Sequence, residues 1–261
     1  MSADSAIELL ARRDRLLVAA GLGAITALGW VYLVYFAAGM DGMSGGMQAA
    51  AMPALMPWDT SDLLLMFVMW AVMMAAMMTP SAAPMILLYA AISRKTKSEI
   101  KPVAHCGAFA SGYLVVWTGF SAVATVLQWA LEQAALLSPV MVATSPYLGG
   151  GLLIAAGLYQ MTPLKNVCLQ HCRSPVHFLA GRWRKGATGA FRTGLHHGLY
   201  CLGCCWALML LLFVGGVMNL LWIAALAALV LLEKIIPRGD LLGRASGSLL
   251  VLGGLWLIVQ T

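Results

Sequence analysis

Charge is what this chain has least of. Of its 261 residues only 10% are Asp, Glu, Lys or Arg, against 61% apolar, where a soluble domain carries roughly a quarter charged residues. The mean hydropathy of +0.86 points the same way. This shortage excludes a separate soluble domain and predicts a polytopic membrane protein. Nucleotide-binding glycine loops, HExxH and GxSxG motifs are also lacking, as are repeats of 20–50 residues. Two connections between the apolar runs, Gly39 to Asp62 and Ser138 to Pro146, contain no Lys or Arg at all.

A bilayer span needs about 20 apolar residues. Seven runs approach that: Leu16–Ala38, Leu63–Ile92, Val103–Leu136, Tyr147–Met161, Thr193–Val217, Leu220–Leu232 and Ala245–Val259. The second carries Pro80 and Pro84, which predict a kink or break. The fourth and sixth are short. The first has too long an apolar run for a cleaved signal. The expected fold is therefore all-α, a membrane bundle of about seven helices. A short N-terminus (1–15) precedes one helical domain (16–261), which includes an outer loop at 39–62 and a basic inner loop at 162–192.

Basic residues set orientation. Arg12, Arg13 and Arg15 precede span one, and Arg94, Lys95, Lys97 and Lys101 follow span two. Lys165, Arg173, Arg182, Arg184, Lys185 and Arg192 separate spans four and five, and Lys234, Arg238 and Arg244 follow span six. In a seven-span arrangement all lie on one side, which predicts a cytoplasmic N-terminus and an external C-terminus. Topology then explains the net charge of +6, with no need for a nucleic-acid partner. The expected location is the bacterial cytoplasmic (inner) membrane, with the lipid bilayer as the first partner.

Sulfur and imidazole are unevenly spread. Twelve of the 17 methionines fall between Met40 and Met85. The outer loop holds Met40, Met43, Met47, Met52 and Met56. In span two, Met66, Met69, Met73 and Met77 share a face at about 100° per residue, with Met74 and Met78 beside it. Thioethers bind copper(I) without losing a proton. All six cysteines and all five histidines gather toward the other side: His105 and Cys106; Cys168, His171, Cys172 and His177; His196, His197, Cys201, Cys204 and Cys205. On one helix His197, Cys201 and Cys204 fall within about 60° of arc, with Cys205 just outside and His196 elsewhere. Thiolates with imidazole suit copper(I), or alternatively zinc. Structural disulfides are unexpected on a reducing side. Glu132, Glu233 and Lys234 sit near span ends and are expected at the interface, Glu233 pairing with Lys234 or with an inner-loop base.

The segments "WAVMMAAMMTPSAAPM" (70–85), "GLYQMTPLKNVCLQHCRSP" (157–175) and the run from Gly194 to Lys234 resemble a bacterial family of uncharacterised predicted metal-binding integral membrane proteins, a domain of unknown function. The resemblance covers residues 60–235, leaves out the Met-rich loop, and implies metal binding. The combined expectation is a soft-metal, copper(I)-handling membrane protein, either a permease or an assembly factor serving a membrane metalloenzyme or a copper chaperone. Met43 and Met47 would collect the ion, the span-two stripe relay it, and Cys168, His171, Cys172, His197, Cys201, Cys204 and Cys205 hold it. No catalytic step is required. The rival readings are a membrane thiol–disulfide oxidoreductase using Cys201/Cys204 and Cys168/Cys172, and a structural subunit of a larger complex with inert thiols.

Overall fold

A computed structural model describes residues 3–47, 58–95, 102–138, 141–184 and 186–260, with backbone alone for 3–12, 14, 40–47, 94–95 and 102. Its elements are α1 (Ala3–Met47), α2 (Thr60–Lys95), α3 (Pro102–Gln133), α4 (Pro146–Gln160), α5 (Pro163–Arg173), α6 (Pro175–Arg182), α7 (Gly186–Leu210), α8 (Leu212–Gly215), α9 (Leu220–Ile235) and α10 (Gly239–Val259). Among the described residues the only extended pairing is an isolated bridge between Leu137 and Ala143. The all-α bundle is as expected.

Among the described residues five segments are long and apolar enough to cross a membrane: Arg15–Gly39, Thr60–Ser93, Val103–Gln133, Gly186–Gly215 and Gly239–Val259. The fourth and sixth expected spans are present as α4 and α9, of 15 and 16 residues. At 1.5 Å per residue they reach only about 22–24 Å, short of a hydrocarbon core of about 30 Å. Large apolar side chains cover the outside, such as Leu28, Val31, Leu221, Leu249 and Val259, an exterior suited to lipid.

Three expectations need correcting. First, Pro80 and Pro84 do not break α2, which is helical through both, because packing on α1, α3 and α9 holds what the lost backbone hydrogen bonds do not. Second, α1 runs on to Met47, so Met40, Met43 and Met47 begin the outer connection as helix, not loop. The side chains of Met43 and Met47, and all of Met52 and Met56, lie outside the described residues. Third, the basic inner segment 162–192 is largely helical. Thr162 caps α5, its hydroxyl accepting from the Lys165 N–H at 3.3 Å, with Pro163 at the first helical position. Pro175 begins α6 in the same way, as the missing proline N–H allows.

Small residues set the helix pairs. An added Cβ at Gly194 would lie 1.9 Å from the Phe109 carbonyl oxygen, and one at Gly112 2.1 Å from that of Phe191. Gly198 meets Val116 and Tyr113 as Gly194 meets Phe109, so α3 and α7 pack in parallel. Gly150 against Gly254 and Gly157 against Gly247 likewise seat α4 antiparallel on α10. Both directions agree with alternating spans. The core lies where α2, α3 and α7 meet, with Met69, Trp70, Met73, Met74, Phe109, Tyr113 and Trp117 fully enclosed.

Candidate metal centre

The inward face of α7 carries the unusual residues. His197, Cys201, Cys204 and Cys205 are all buried. Opposite them, Phe109, Tyr113 and Trp117 repeat every four residues along α3. The His197 ring packs among Phe109, Tyr113 and Phe178, with centroids 6.0, 5.6 and 5.6 Å away. Among the described residues neither of its ring nitrogens has a hydrogen-bond partner. A buried polar group without a partner is costly, so this imidazole is available to a ligand.

One turn along, Cys201 is the hub. The Tyr113 hydroxyl donates to the Met78 carbonyl at 3.0 Å and lies 3.1 Å from the Cys201 sulfur. The Lys234 ammonium donates to that sulfur at 3.0 Å and to the Ser81 hydroxyl at 2.8 Å. The Cys204 and Cys205 thiols donate to the Cys201 carbonyl, each at 3.0 Å. Cys172, from α5, interacts with Cys204. This interaction, followed by burial, pushes the Cys172 thiol well above the ordinary cysteine range. Burial also pushes up Cys168, whose sulfur lies 2.8 Å from where a Cβ on Gly203 would stand. The glycine admits it.

A buried charge pair holds α5 in this position. Lys165 is wholly enclosed, and its ammonium meets the Glu233 carboxylate at 2.7 Å as well as the Gln160 amide oxygen. Gln160 donates to Glu233 at 2.8 Å and to Ser246 at 3.0 Å. Lys165, Leu169 and Cys172 are three or four residues apart along one face of α5. The pair that anchors Lys165 thereby turns Cys172 toward α7. Glu233 therefore pairs with an inner-segment lysine, while its neighbour Lys234 reaches the thiols. Both are buried, contrary to the expected interfacial position.

The methionine stripe faces inward. Met69, Met73, Met74, Met77 and Met78 are buried, and Met66 is half-buried. Gln128, itself buried, donates to the Met66 sulfur at 3.7 Å and to Glu132 at 2.9 Å, and accepts from Trp70 at 2.7 Å. Trp58 donates to Glu132 at 2.8 Å. From Met66 to Met77 the stripe is about 17 Å long at 1.5 Å per residue. Just beyond its far end the Tyr113 hydroxyl links the Met78 backbone carbonyl to the Cys201 sulfur.

Not every expected ligand joins them. His171 stacks flat on Tyr200, 4.2 Å away, and its Nδ1 meets the Val167 carbonyl. The His196 Nδ1 meets the Arg192 carbonyl. Cys106 is buried on α3 but is not among the thiols in contact. Among the described residues no three His, Cys, Asp or Glu side chains are grouped as a metal site. Thiolate sulfur is a ligand of both copper(I) and zinc. Tyr113, Ser81, Gln128 and Lys165 were missed in the sequence. For Lys165 a signal existed: it precedes Cys168 and Cys172 by three and seven residues on a helix opened by Thr-Pro.

Residues 67–257 match the family described as PpoB2, copper chaperone. This chain belongs to that family. The matched region contains the stripe from Met69 onward, all six cysteines and the Lys165, Glu233 and Lys234 charges, and it encloses the three quoted blocks. In this copper chaperone family member Met43, Met47 and Met66 lie outside it. No curated protein and no solved structure matches the chain.

Proposed function

We propose that this chain is a membrane-embedded copper(I) chaperone that takes the ion at the Asp59 end of the bundle and holds it at the thiols of α5 and α7. The observation that carries this reading is continuity. The buried methionine-bearing stretch of α2 leads to residues that share a hydrogen-bond network with Cys201: the Met78 backbone carbonyl through Tyr113, and the Ser81 hydroxyl through Lys234. The family description supplies the metal. Cys172 and Cys204 form the holding pair, contributed by different helices, with Cys201, Cys205 and His197 as exchange ligands. Each thiol gives up its proton when it takes the ion. The ion moves by replacing one sulfur ligand with the next, and its oxidation state does not change. Lys234 balances thiolate charge at Cys201 and must yield when the ion is handed on. The expected recipient is a membrane metalloenzyme or a second copper carrier.

X-ray absorption of the copper(I)-loaded, reduced protein tests this. The expected spectrum is a low-coordinate sulfur environment that is lost in Cys172→Ser/Cys204→Ser. A coordination shell made mainly of nitrogen and oxygen would defeat the proposal. The Cys172–Cys204 contact would also serve thiol–disulfide exchange. That reading requires a redox-active pair that cycles without metal.

A further inference from the structure

Between Glu132 and Glu233 the sequence contains no Asp or Glu, yet six Lys and Arg residues fall there. Two of them are accounted for. Lys165 is paired with Glu233, and Arg173 lies 3.9 Å from Asp240 and donates to the Ile236 carbonyl at 2.7 Å. Lys185 is outside the described residues. Arg182, Arg184 and Arg192 form no carboxylate pair among the described residues. Two of these three line a cavity of about 310 Å³ bounded by Gly181, Arg182, Trp183, Arg184, Thr193 and His196. That volume falls at the lower end of small-ligand sites, roughly 300–1,000 Å³.

The walls are fixed. The Arg182 guanidinium donates to the Tyr200 hydroxyl at 2.9 Å and lies over the Tyr200 and Phe178 rings, 5.3 and 5.9 Å from their centroids. This holds its remaining donors in place. Trp183 stacks on Tyr89, 5.0 Å between centroids. The Thr193 hydroxyl donates to the Gly189 carbonyl at 2.9 Å. An added Cβ at Gly189 would collide with the Arg184 backbone and Cβ at 2.7–2.8 Å, so glycine lets the Arg182–Arg184 segment fold back against α7. A pocket with two arginines and no nearby acid suits a phosphate oxyanion, which guanidinium groups bind through paired charge-assisted hydrogen bonds. Basic pockets between membrane helices on the cytoplasmic side take anionic lipid headgroups. Apolar Val176 and Leu199 on the adjoining helices are exposed, which gives acyl chains a surface beside the pocket.

We propose that the Arg182–Arg184 cavity is a binding site for the phosphate of an anionic phospholipid. The site is separate from the thiols and does not depend on copper. The full-length protein in neutral detergent is titrated with phosphatidylglycerol, phosphatidylcholine, inorganic phosphate or polyglutamate, and bound species are counted by native mass spectrometry. Phosphatidylglycerol should bind in preference to phosphatidylcholine. The variant Arg182→Gln/Arg184→Gln should bind it about tenfold more weakly, while Arg238→Gln, an exposed base elsewhere, should bind it like wild type. A photoreactive phosphatidylglycerol should label peptide 181–196 of the unmodified chain, a result that requires no variant to fold. The proposal would be overturned by equal binding of phosphatidylcholine, equal loss in Arg238→Gln, labelling elsewhere, or inorganic phosphate alone binding as tightly as the lipid. Displacement of the lipid by polyglutamate would assign the pocket to an acidic protein instead.

Discussion

At the scale of single residues, protons and charges in enclosed places govern how this chain takes up an ion. The Cys172 thiol is held well above the ordinary cysteine range by its interaction with Cys204 and by burial. A raised value keeps the proton on at neutral pH, so copper(I) must displace it. Copper(I) affinity should therefore rise with pH and weaken in acid, whereas binding by thioether alone should be nearly flat. Competition against a copper(I) chelator across pH checks the sign. Lys165 and Glu233 give a second prediction. Removing one member of a buried pair strands the other charge and costs about 3–5 kcal/mol, whereas an apolar replacement of both is often near neutral. Lys165→Met should lower thermal stability sharply, and Lys165→Met/Glu233→Leu should recover most of the loss. A single variant as stable as wild type would show that the pair does not anchor α5.

At the scale of helices, close approach governs α3 and α7. Gly194→Ala places a Cβ 1.9 Å from the Phe109 carbonyl oxygen, a backbone clash that costs at least about 1–3 kcal/mol. Gly119→Ala, with nothing within 4 Å of its Cβ, should leave the melting temperature unchanged or slightly raised. Thermal unfolding of the two variants separates packing glycines from incidental ones. The same contrast explains how much the sequence discloses. The inward face of α7 is legible because His197, Cys201 and Cys204 recur at helical spacing, and the Met66–Met77 stripe is legible for the same reason. The docking of α5 is not, because Lys165 looks like one more topology-setting base and its partner Glu233 is 68 residues away. The role of Lys234 is hidden similarly: nothing local indicates that a lysine at a span end turns inward to a thiol. Helix continuity through Pro80 and Pro84 also depends on neighbours and not on local sequence.

At the scale of the molecule, the proposed function makes the thioether stripe and the thiol group one sulfur-lined path through the bundle. Reporters fused at Gly45 and Lys185 should appear on opposite sides of the membrane, and finding both on one side would rule out the path as a crossing. Replacing Met69, Met73 and Met77 with leucine retains the apolar bulk. It should slow copper(I) loading at limiting supply without changing the amount finally held, and unchanged loading kinetics would reduce the stripe to packing. The central claim is that Cys172 and Cys204 hold the ion together. It is tested most directly by the copper(I) retained by the purified, fully reduced protein after gel filtration against a competing chelator, comparing wild type, Cys172→Ser, Cys204→Ser and Cys106→Ser. Stoichiometric copper should remain in wild type and Cys106→Ser and be lost from either of the other two variants. Full retention by Cys172→Ser or Cys204→Ser would contradict the account.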